Sequence, residues 1–317
     1  MSCYGHLTIN ERESILVMKE KNMTMREMWT AIGRSASTIS RELQRNSRPR
    51  AGYSAAYAQA AYRKRRIRCR RRLRLSEIET RETVMNLLNA YWSPEQISQR
   101  LQRGDGAVEI GTCTIYRGIK KGLFPREAKK KLRTRPYSKP SGSKTGKLVI
   151  SHNIRERPEE ANQRKEIVHW ESDTVRGSRH SGSILTQVDR KSRYLIAAKI
   201  PDGKSETFMS ATIAAMQGKP VKSFTADNGK EFAAHDLLTK AFGAEVYFCD
   251  PSAPGQRGTN ENTNGLLRQF FPKRSSFERV SQADVDHAVW LLNNRPRKCL
   301  HWDSPLEVFS RELLHLT

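Results

Sequence analysis

The apolar positions change rhythm about halfway along the chain. Over 7–46, in "LTINERESILVMKEKNMTMREMWTAIGRSASTISRELQRN", they recur at helical spacing between residues that start and stop helices. Thr8 or Asn10 can cap a helix carrying Ile15, Leu16 and Met18. A second runs through "MTMREMWTAIG" to Gly33, and a third, "SASTISREL", starts at Ser35. Further on, "WSPEQISQRL" has Ser93 as N-cap and Pro94 at the first helical position, with a short helix in "GTCTIYRGIKKG" after it. From about 165 the spacing shortens. "VHWESDTVRG", "SILTQVDR" and "RYLIAAKI" read as an antiparallel meander. A helix ("SETFMSATIAAMQGKP"), a strand ("VKSFTAD"), a helix, a strand ("EVYFCD") and a last helix follow, and this order predicts a mixed sheet covered by helices. Near the C-terminus "ADVDHAVWLLNN" presents Val285, Ala288, Val289 and Leu292 as one stripe, suited to bracing that sheet.

The expected fold is therefore multidomain, with all-α helix-turn-helix units followed by an α/β mixed-sheet domain. The boundaries read as a first helix-turn-helix over 1–50, a basic linker or helix over 51–76, a second helix-turn-helix over 77–124, a basic linker over 125–160 and the sheet domain over 161–317.

Charge sharpens this division. Of the 317 residues, 1–150 hold 33 Lys and Arg against 12 Asp and Glu, whereas 151–317 hold 24 against 21. The N-terminal half is the polyanion-binding half, and nucleic acid is the polyanion such asymmetry points to, because each neutralised phosphate releases counterions. The run "RKRRIRCRRRLR" is too polar for a membrane surface, offering only Ile67 and Leu73 as apolar contacts. No run of about 18 apolar residues and no secretory signal occur, so the expectation is a soluble, cytoplasmic protein.

Within the first unit, Arg34, Ser35, Ser37, Thr38, Ser40 and Arg41 lie at the start of the third helix, where a recognition helix meets base edges. An ordinary helical bundle is the plainer reading, but the basic tail "QRNSRPR" favours DNA. Arg48 and Arg50 would enter a minor groove as an extended arm, and Arg63, Lys64, Arg65 and Arg66 would lie along phosphates. In the second unit Thr112, Thr114, Tyr116 and Arg117 are the corresponding positions, although Ile115 and Tyr116 also suit a core.

Cys3, Cys69, Cys113, Cys249 and Cys299 are scattered and form no C-x-x-C, and the eight histidines are equally dispersed, so a bound metal would take oxygen ligands. Asp173 falls inside the first strand of the sheet domain, Asp227 at the end of the fourth and Glu261 on the helix that follows Gly258. At about 100° per residue, Leu266, Leu267 and Phe270 lie on the far side of that helix from Glu261, while Arg268 returns to Glu261's face. Three carboxylates on separate elements suit a pair of magnesium ions and an in-line phosphoryl transfer. Glu171, Asp189, Glu231 and Asp250 compete for the same role, and spacing alone leaves the choice open. Asn260, Asn262 and Asn264 suit either capping of the helix start or contact with phosphate.

The stretches "HWESD", "LTQVDRKSRYL", "TADNGKEF" and "PGQRGTNENTNGLLRQFFPK", with "LLNNRPRKCL", "SPLEVF" and the N-terminal "GRSASTISREL", closely resemble the DDE transposases of the insertion-sequence family numbered thirty, over almost the whole chain. The resemblance implies a ribonuclease-H-like core and Asp173, Asp227 and Glu261 as the catalytic, metal-binding triad, with 33 residues between the last two. It also implies magnesium, or manganese as a substitute, and Arg268 as a DNA contact near the scissile phosphate. Binding of the element's terminal inverted repeats and a homo-oligomer on paired double-stranded DNA ends are implied as well. Ser172 and His301 stand where the resemblance leads us to expect glycine. The alternatives are a catalytically inactive DNA-binding repressor and, on the same fold, a ribonuclease of RNA–DNA hybrids, which would leave two helix-turn-helix units unexplained.

Overall fold

Threonine and glutamate open the first two helices in the same way. In a computed structural model, which describes residues 5–69, 74–104, 109–133, 151–251 and 253–316, α1 (Ile9–Glu20) begins with a capping box between Thr8 and Glu11. The device recurs between Thr24 and Glu27 at the head of α2 (Met25–Ile32). Gly33, at φ +69°, then turns the chain into α3 (Ala36–Asn46), which Ser35 caps. Ile15, Met28, Ile39 and Leu43 meet in one core, which fixes the three helices as the expected helix-turn-helix.

One reading of the next stretch changes. "RPR" is not an extended arm: β1 (Ser47–Arg48) and β2 (Gly52–Tyr53) pair as a hairpin whose tip holds Arg50 at φ +69°. The basic segment after it, expected as a linker or helix, is a helix. Its helix α4 (Ala55–Arg68) packs on α1, and Ala58 and Tyr53 enter the same core, because alanines let the two backbones approach. The chain thus divides into a unit ending at Leu73 and a second unit from Arg74 to Thr317.

In the second unit, α5 (Ile78–Asn89), α6 (Pro94–Arg103), α7 (Thr112–Lys120) and α8 (Arg126–Lys130) enclose Leu75, Val84, Leu88, Ile97, Ile110 and Ile115. A Cβ at Gly118 would stand 2.5 Å from Leu75 Cδ1, so α7 lies too close to its neighbour for any larger residue. This helical group packs against the sheet domain rather than standing apart. Gln96 donates to the Pro296 carbonyl and accepts from Arg295 Nε, Arg100 pairs with Glu307, and Arg103 reaches Asp303.

The sheet begins with a strand that the sequence did not reveal. β3 (His152–Asn153), of two residues, leads through α9 (Glu159–Gln163) to β4 (His169–Arg176), β5 (Ser183–Asp189) and β6 (Leu195–Ile200). Then come α10 (Ser205–Met216), β7 (Ser223–Ala226), α11 (Asp236–Phe242), β8 (Glu245–Phe248), α12 (Gly258–Leu267), α13 (Gln282–Asn293) and α14 (Pro305–Leu313). The strand order is β3-β8-β7-β4-β5-β6, with β4, β5 and β6 antiparallel and β7, β8 and β3 added in parallel. This is the expected ribonuclease-H-like mixed sheet.

Alternation along the strands gives the sheet two apolar faces. Trp170, Leu185 and Phe224 pack with Phe208 of α10, Leu238 of α11 and Phe309 of α14. Val175, Ile184 and Val188 face the other way, toward Leu266 and Leu267 of α12 and Val285 and Leu292 of α13. Helix α13 braces β6 as expected, and its Asn293 side chain bonds both the Leu195 amide and carbonyl.

Both departures from glycine have a structural account. Ser172 is buried and donates through Oγ to Gln187 Oε1 at 2.6 Å. His301 sits in left-handed backbone at φ +53°, followed by Trp302 at φ +69°. Left-handed backbone costs an L-residue about 1–2 kcal/mol, partly offset by the greater freedom glycine loses on folding. His301→Gly is therefore expected to stabilise the protein by about 0.5–1 kcal/mol in urea unfolding; an unchanged or lower midpoint would show that the imidazole holds the turn.

Candidate active site

Sheet register brings two of the expected acids together. β4 and β7 run parallel with Glu171 opposite Thr225, so two positions further on Asp173, in the middle of β4, comes beside Asp227, just past the end of β7. Thr174 N donates to Asp173 Oδ1 at 2.7 Å, and Gly229 N donates to Asp227 Oδ1 at 2.9 Å. A Cβ at Gly229 would lie 2.6 Å from Glu231 Oε2 and 2.8 Å from Asp227 Oδ1, so glycine is what lets the loop pass between these carboxylates.

A cation already lies between the two aspartates. Arg257 donates through Nη2 to Asp227 Oδ2 at 2.8 Å, stands 3.5 Å from Asp173 Oδ2 through Nη1, and uses the same Nη1 to bond the Ser172 carbonyl at 2.9 Å. Burial pushes the Asp173 carboxyl above its ordinary range, opposed by Arg257 and reinforced by the charge on Asp227. Burial alone would make Arg257 less basic, but Asp173 and Asp227 more than offset it.

Helix α12 approaches this pair with its polar side. Asn264 donates to Asp173 Oδ2 at 3.0 Å, and Asn260 binds the Glu171 carbonyl and the Thr186 hydroxyl. No asparagine caps the helix. Glu171 does so from β4, accepting the Asn260 amide at 2.8 Å while pairing with Arg190. Gly258 is not a turn glycine either, since it is already helical at φ −57° after a 3-10 turn over Pro254–Arg257.

Glu261 stays apart. It is exposed on α12 and makes no hydrogen bond or ion pair among the described residues. Among those residues no group of three or more His, Cys, Asp or Glu is gathered to hold a metal ion. Glu231, across the Gly229 loop from Asp227, is already met by Arg176 and Thr174. The donor set nevertheless fits a metal at the pair: two hard carboxylates facing one cation, in the part of the site where Arg257 stands in for the ion. Arg268, at the end of α12, is half-buried and donates to the Arg176 carbonyl at 2.9 Å; burial lowers its basicity and Asp173 opposes that.

The competing acids all have structural partners. Glu171 is buried against Arg190 and the start of α12, and Glu231 accepts from Thr174 and Arg176. Asp189 accepts from Ser192, with burial pushing its carboxyl up to about 6. Asp250 is bonded to Asn153 and Gln256. Arg257 is the residue sequence reasoning missed; its position four residues before Glu261, one turn of helix, was the available signal.

The expected DNA-contacting positions divide similarly. Ser37, Ser40 and Arg41 are exposed on α3 opposite buried Ile39 and Leu43, Thr38 is half-buried, and Ser35 is occupied as a cap. Arg34 pairs with Glu11 at 2.8 Å. Arg48 stacks on Tyr57, with 4.3 Å to the ring centre, and Arg65 bonds Asn46, while Arg63, Lys64 and Arg66 are exposed. On α7, Tyr116 and Arg117 are exposed and Thr112 and Thr114 half-exposed, while Ile115 belongs to the core. The basic stretch 134–147 lies outside the described residues.

Known proteins match both parts of the chain. A helix-turn-helix domain model matches residues 3–46 and an integrase core domain model matches 163–254. The transposase for insertion sequence element IS1086 of Cupriavidus metallidurans is 35% identical, covering 99% of this chain and 97% of its own. The transposase InsI for insertion sequence element IS30A of Escherichia coli is 37% identical over 97% of this chain and 84% of its own. A transposase for insertion sequence element IS4351 of Bacteroides fragilis is 36% identical over 96% of each chain. With relatives of that identity spanning nearly its full length, and with a helix-turn-helix and an integrase core in the same order, the chain belongs to the IS30 family of insertion-sequence transposases.

Proposed function

We propose that Asp173, Asp227 and Glu261 are the catalytic and metal-binding residues of a DDE transposase that binds the terminal inverted repeats of its insertion sequence, cleaves a strand at each end and joins the freed 3′-hydroxyl to new DNA. The observation that carries this reading is the pair of aspartates abreast on β4 and at the end of β7, sharing one guanidinium. An integrase core implies nucleotidyl transfer and a divalent metal. Magnesium, or manganese in its place, held by Asp173, Asp227 and Glu261 would favour the attacking oxygen as a nucleophile and offset charge on the leaving one.

The chain's own residues prepare that chemistry. Asn264, Thr174 N and Gly229 N fix the aspartate carboxylates, so little reorganisation is needed when substrate arrives. Arg257 offsets part of the pair's charge beforehand, and its guanidinium is free to turn to a DNA phosphate once another cation replaces it. Glu261, unpartnered on the exposed side of α12, is available to close the site. Arg268 offers a second phosphate contact at the far end of the same helix. Ser37, Ser40 and Arg41 of α3, and Tyr116 and Arg117 of α7, supply exposed surfaces for the inverted repeats, and the exposed Arg63, Lys64 and Arg66 supply phosphate contacts. Transfer proceeds by direct attack on phosphorus, and two paired ends call for more than one copy of the chain.

The decisive experiment is cleavage of a labelled duplex carrying the element's own end, in magnesium and in EDTA. Metal-dependent nicking by the wild type, lost in Glu261→Gln with DNA binding retained, is expected; nicking by Glu261→Gln at the wild-type rate would remove Glu261 from the triad. For Gly229→Ala we expect nicking to fall by about tenfold or more, equivalent to about 1.4 kcal/mol in the barrier, with the melting temperature nearly unchanged. Arg257→Gln leaves two like charges adjacent, so without metal it should melt below the wild type, and magnesium should raise its midpoint by more. Equal magnesium shifts in the two proteins would deny Arg257 its place between the aspartates.

A further inference from the structure

A second concentration of positive charge lies at the other side of the helix that carries Glu261. A cavity of about 250 Å³ opens at the start of α12, lined by Gly258, Thr259, Asn262 and Thr263 together with Arg164, Arg193, Arg297 and Cys299. None of these three arginines forms an ion pair with a carboxylate among the described residues, whereas the neighbouring Arg190 does so with Glu171. Arg164 and Arg193 both donate to the single hydroxyl of Thr259, at 3.5 Å and 2.6 Å. Arg297 is 9% exposed, donates through Nη2 to the Leu292 carbonyl, and leaves its buried Nε with no partner.

A buried guanidinium is costly without a counter-charge, and an unmade hydrogen bond at one of its nitrogens adds to that cost. Burial and the neighbouring Arg295 push Arg297 down to about 9, and burial followed by Arg193 makes Arg164 less basic. Glu171, the carboxylate that raises the basicity of Arg164, is already committed to Arg190 and to the Asn260 amide. Arg164 and Arg193 also hold left-handed backbone, at φ +56° and +64°, where glycine would be cheaper. Three arginines without an ion pair among the described residues and an unpartnered buried N–H, around one small cavity, suit a compact anion.

We propose that this cavity is a phosphate-binding site, separate from the Asp173–Asp227 pair, and that it grips a backbone phosphate of the DNA strand laid across the start of α12. The chemistry stands on the cavity itself; only its assignment to DNA rests on the transposition reading. Because Asn262 lines the cavity and follows Glu261 directly, a phosphate held there would fix the turn of helix that carries Glu261. Arg193 would supply a forked pair of donors, Arg164 a movable charge at the rim and Arg297 Nε a donor from the floor.

Two measurements on the full chain test this, with Arg164→Gln and Arg193→Gln. Arg164 is exposed, so its variant keeps the test alive if Arg193→Gln, which also loses the Thr259 bond, folds poorly. First, inorganic phosphate at constant ionic strength should raise the melting temperature of the wild type and do so much less in either variant. Second, the slope of log Kd against log salt for duplex binding should fall by about 0.9 in each variant, the value for one phosphate contact. A lost phosphate response with an unchanged salt slope would overturn the DNA assignment and make this a free-oxyanion site. No phosphate response in the wild type, with salt slopes equal in all three proteins, would overturn the proposal. Should the protein bind no duplex at all, the transposition reading fails, while the phosphate response still reports on the cavity.

Discussion

Two carboxylates held side by side by parallel strand register repel each other, and much of the second unit is arranged around that repulsion. Asp173 and Asp227 cannot drift apart, because each is fixed by the hydrogen bonding of its own strand or strand end. The surroundings answer with donors: Arg257 between them, Asn264 beneath one, the Gly229 amide beside the other. The same constraint explains where Glu261 lies. It belongs to the helix that delivers Asn264 and that starts directly after Arg257, yet its charge gains nothing by joining two others until more positive charge is present.

The position of that helix is set one layer further out. Glu171, on the strand of Asp173, caps α12 through the Asn260 amide and is neutralised by Arg190. Asn260 returns the contact through the Glu171 carbonyl and reaches Thr186 on the adjacent strand. A fully bonded buried network of this kind is specific in geometry, since a rotation of α12 would leave several of its groups unpaired at once. The apolar side of the same helix, Leu266 and Leu267, packs on Val175 and Val188 and resists the same rotation.

Most of this was legible where a local pattern carries the information. Strands β4 to β8 show in their alternation and helices α1 to α3 and α6 in their caps, whereas the choice of Asp173 and Asp227 among the acids came from the resemblance and not from spacing. What escaped depends on partners far along the chain. The two-residue β3 exists only because β8 offers a free edge, and α4 packs through alanines that look like propensity rather than core. Arg257 resembles any other basic residue until β4 and β7 are paired. Arg295 and Arg297 are buried because their aliphatic stems carry them into the interface with α6 and the cavity beside α12. Glycine was expected at 301 from resemblance alone, and the left-handed backbone there supplies the physical reason.

The docking of α6 onto the C-terminal region has a geometric consequence. Gln96, Arg100 and Arg103 fasten the helical group of α5 to α8 to the segment 295–307, which is itself built onto the sheet. The exposed face of α7 and the aspartate pair therefore belong to one body, and the span between them is a fixed length of the fold. If α7 reads the element's end, that span acts as a ruler. It would select a scissile phosphate by its distance in base pairs from the contacted bases, with no need for the catalytic residues to recognise the sequence they cut.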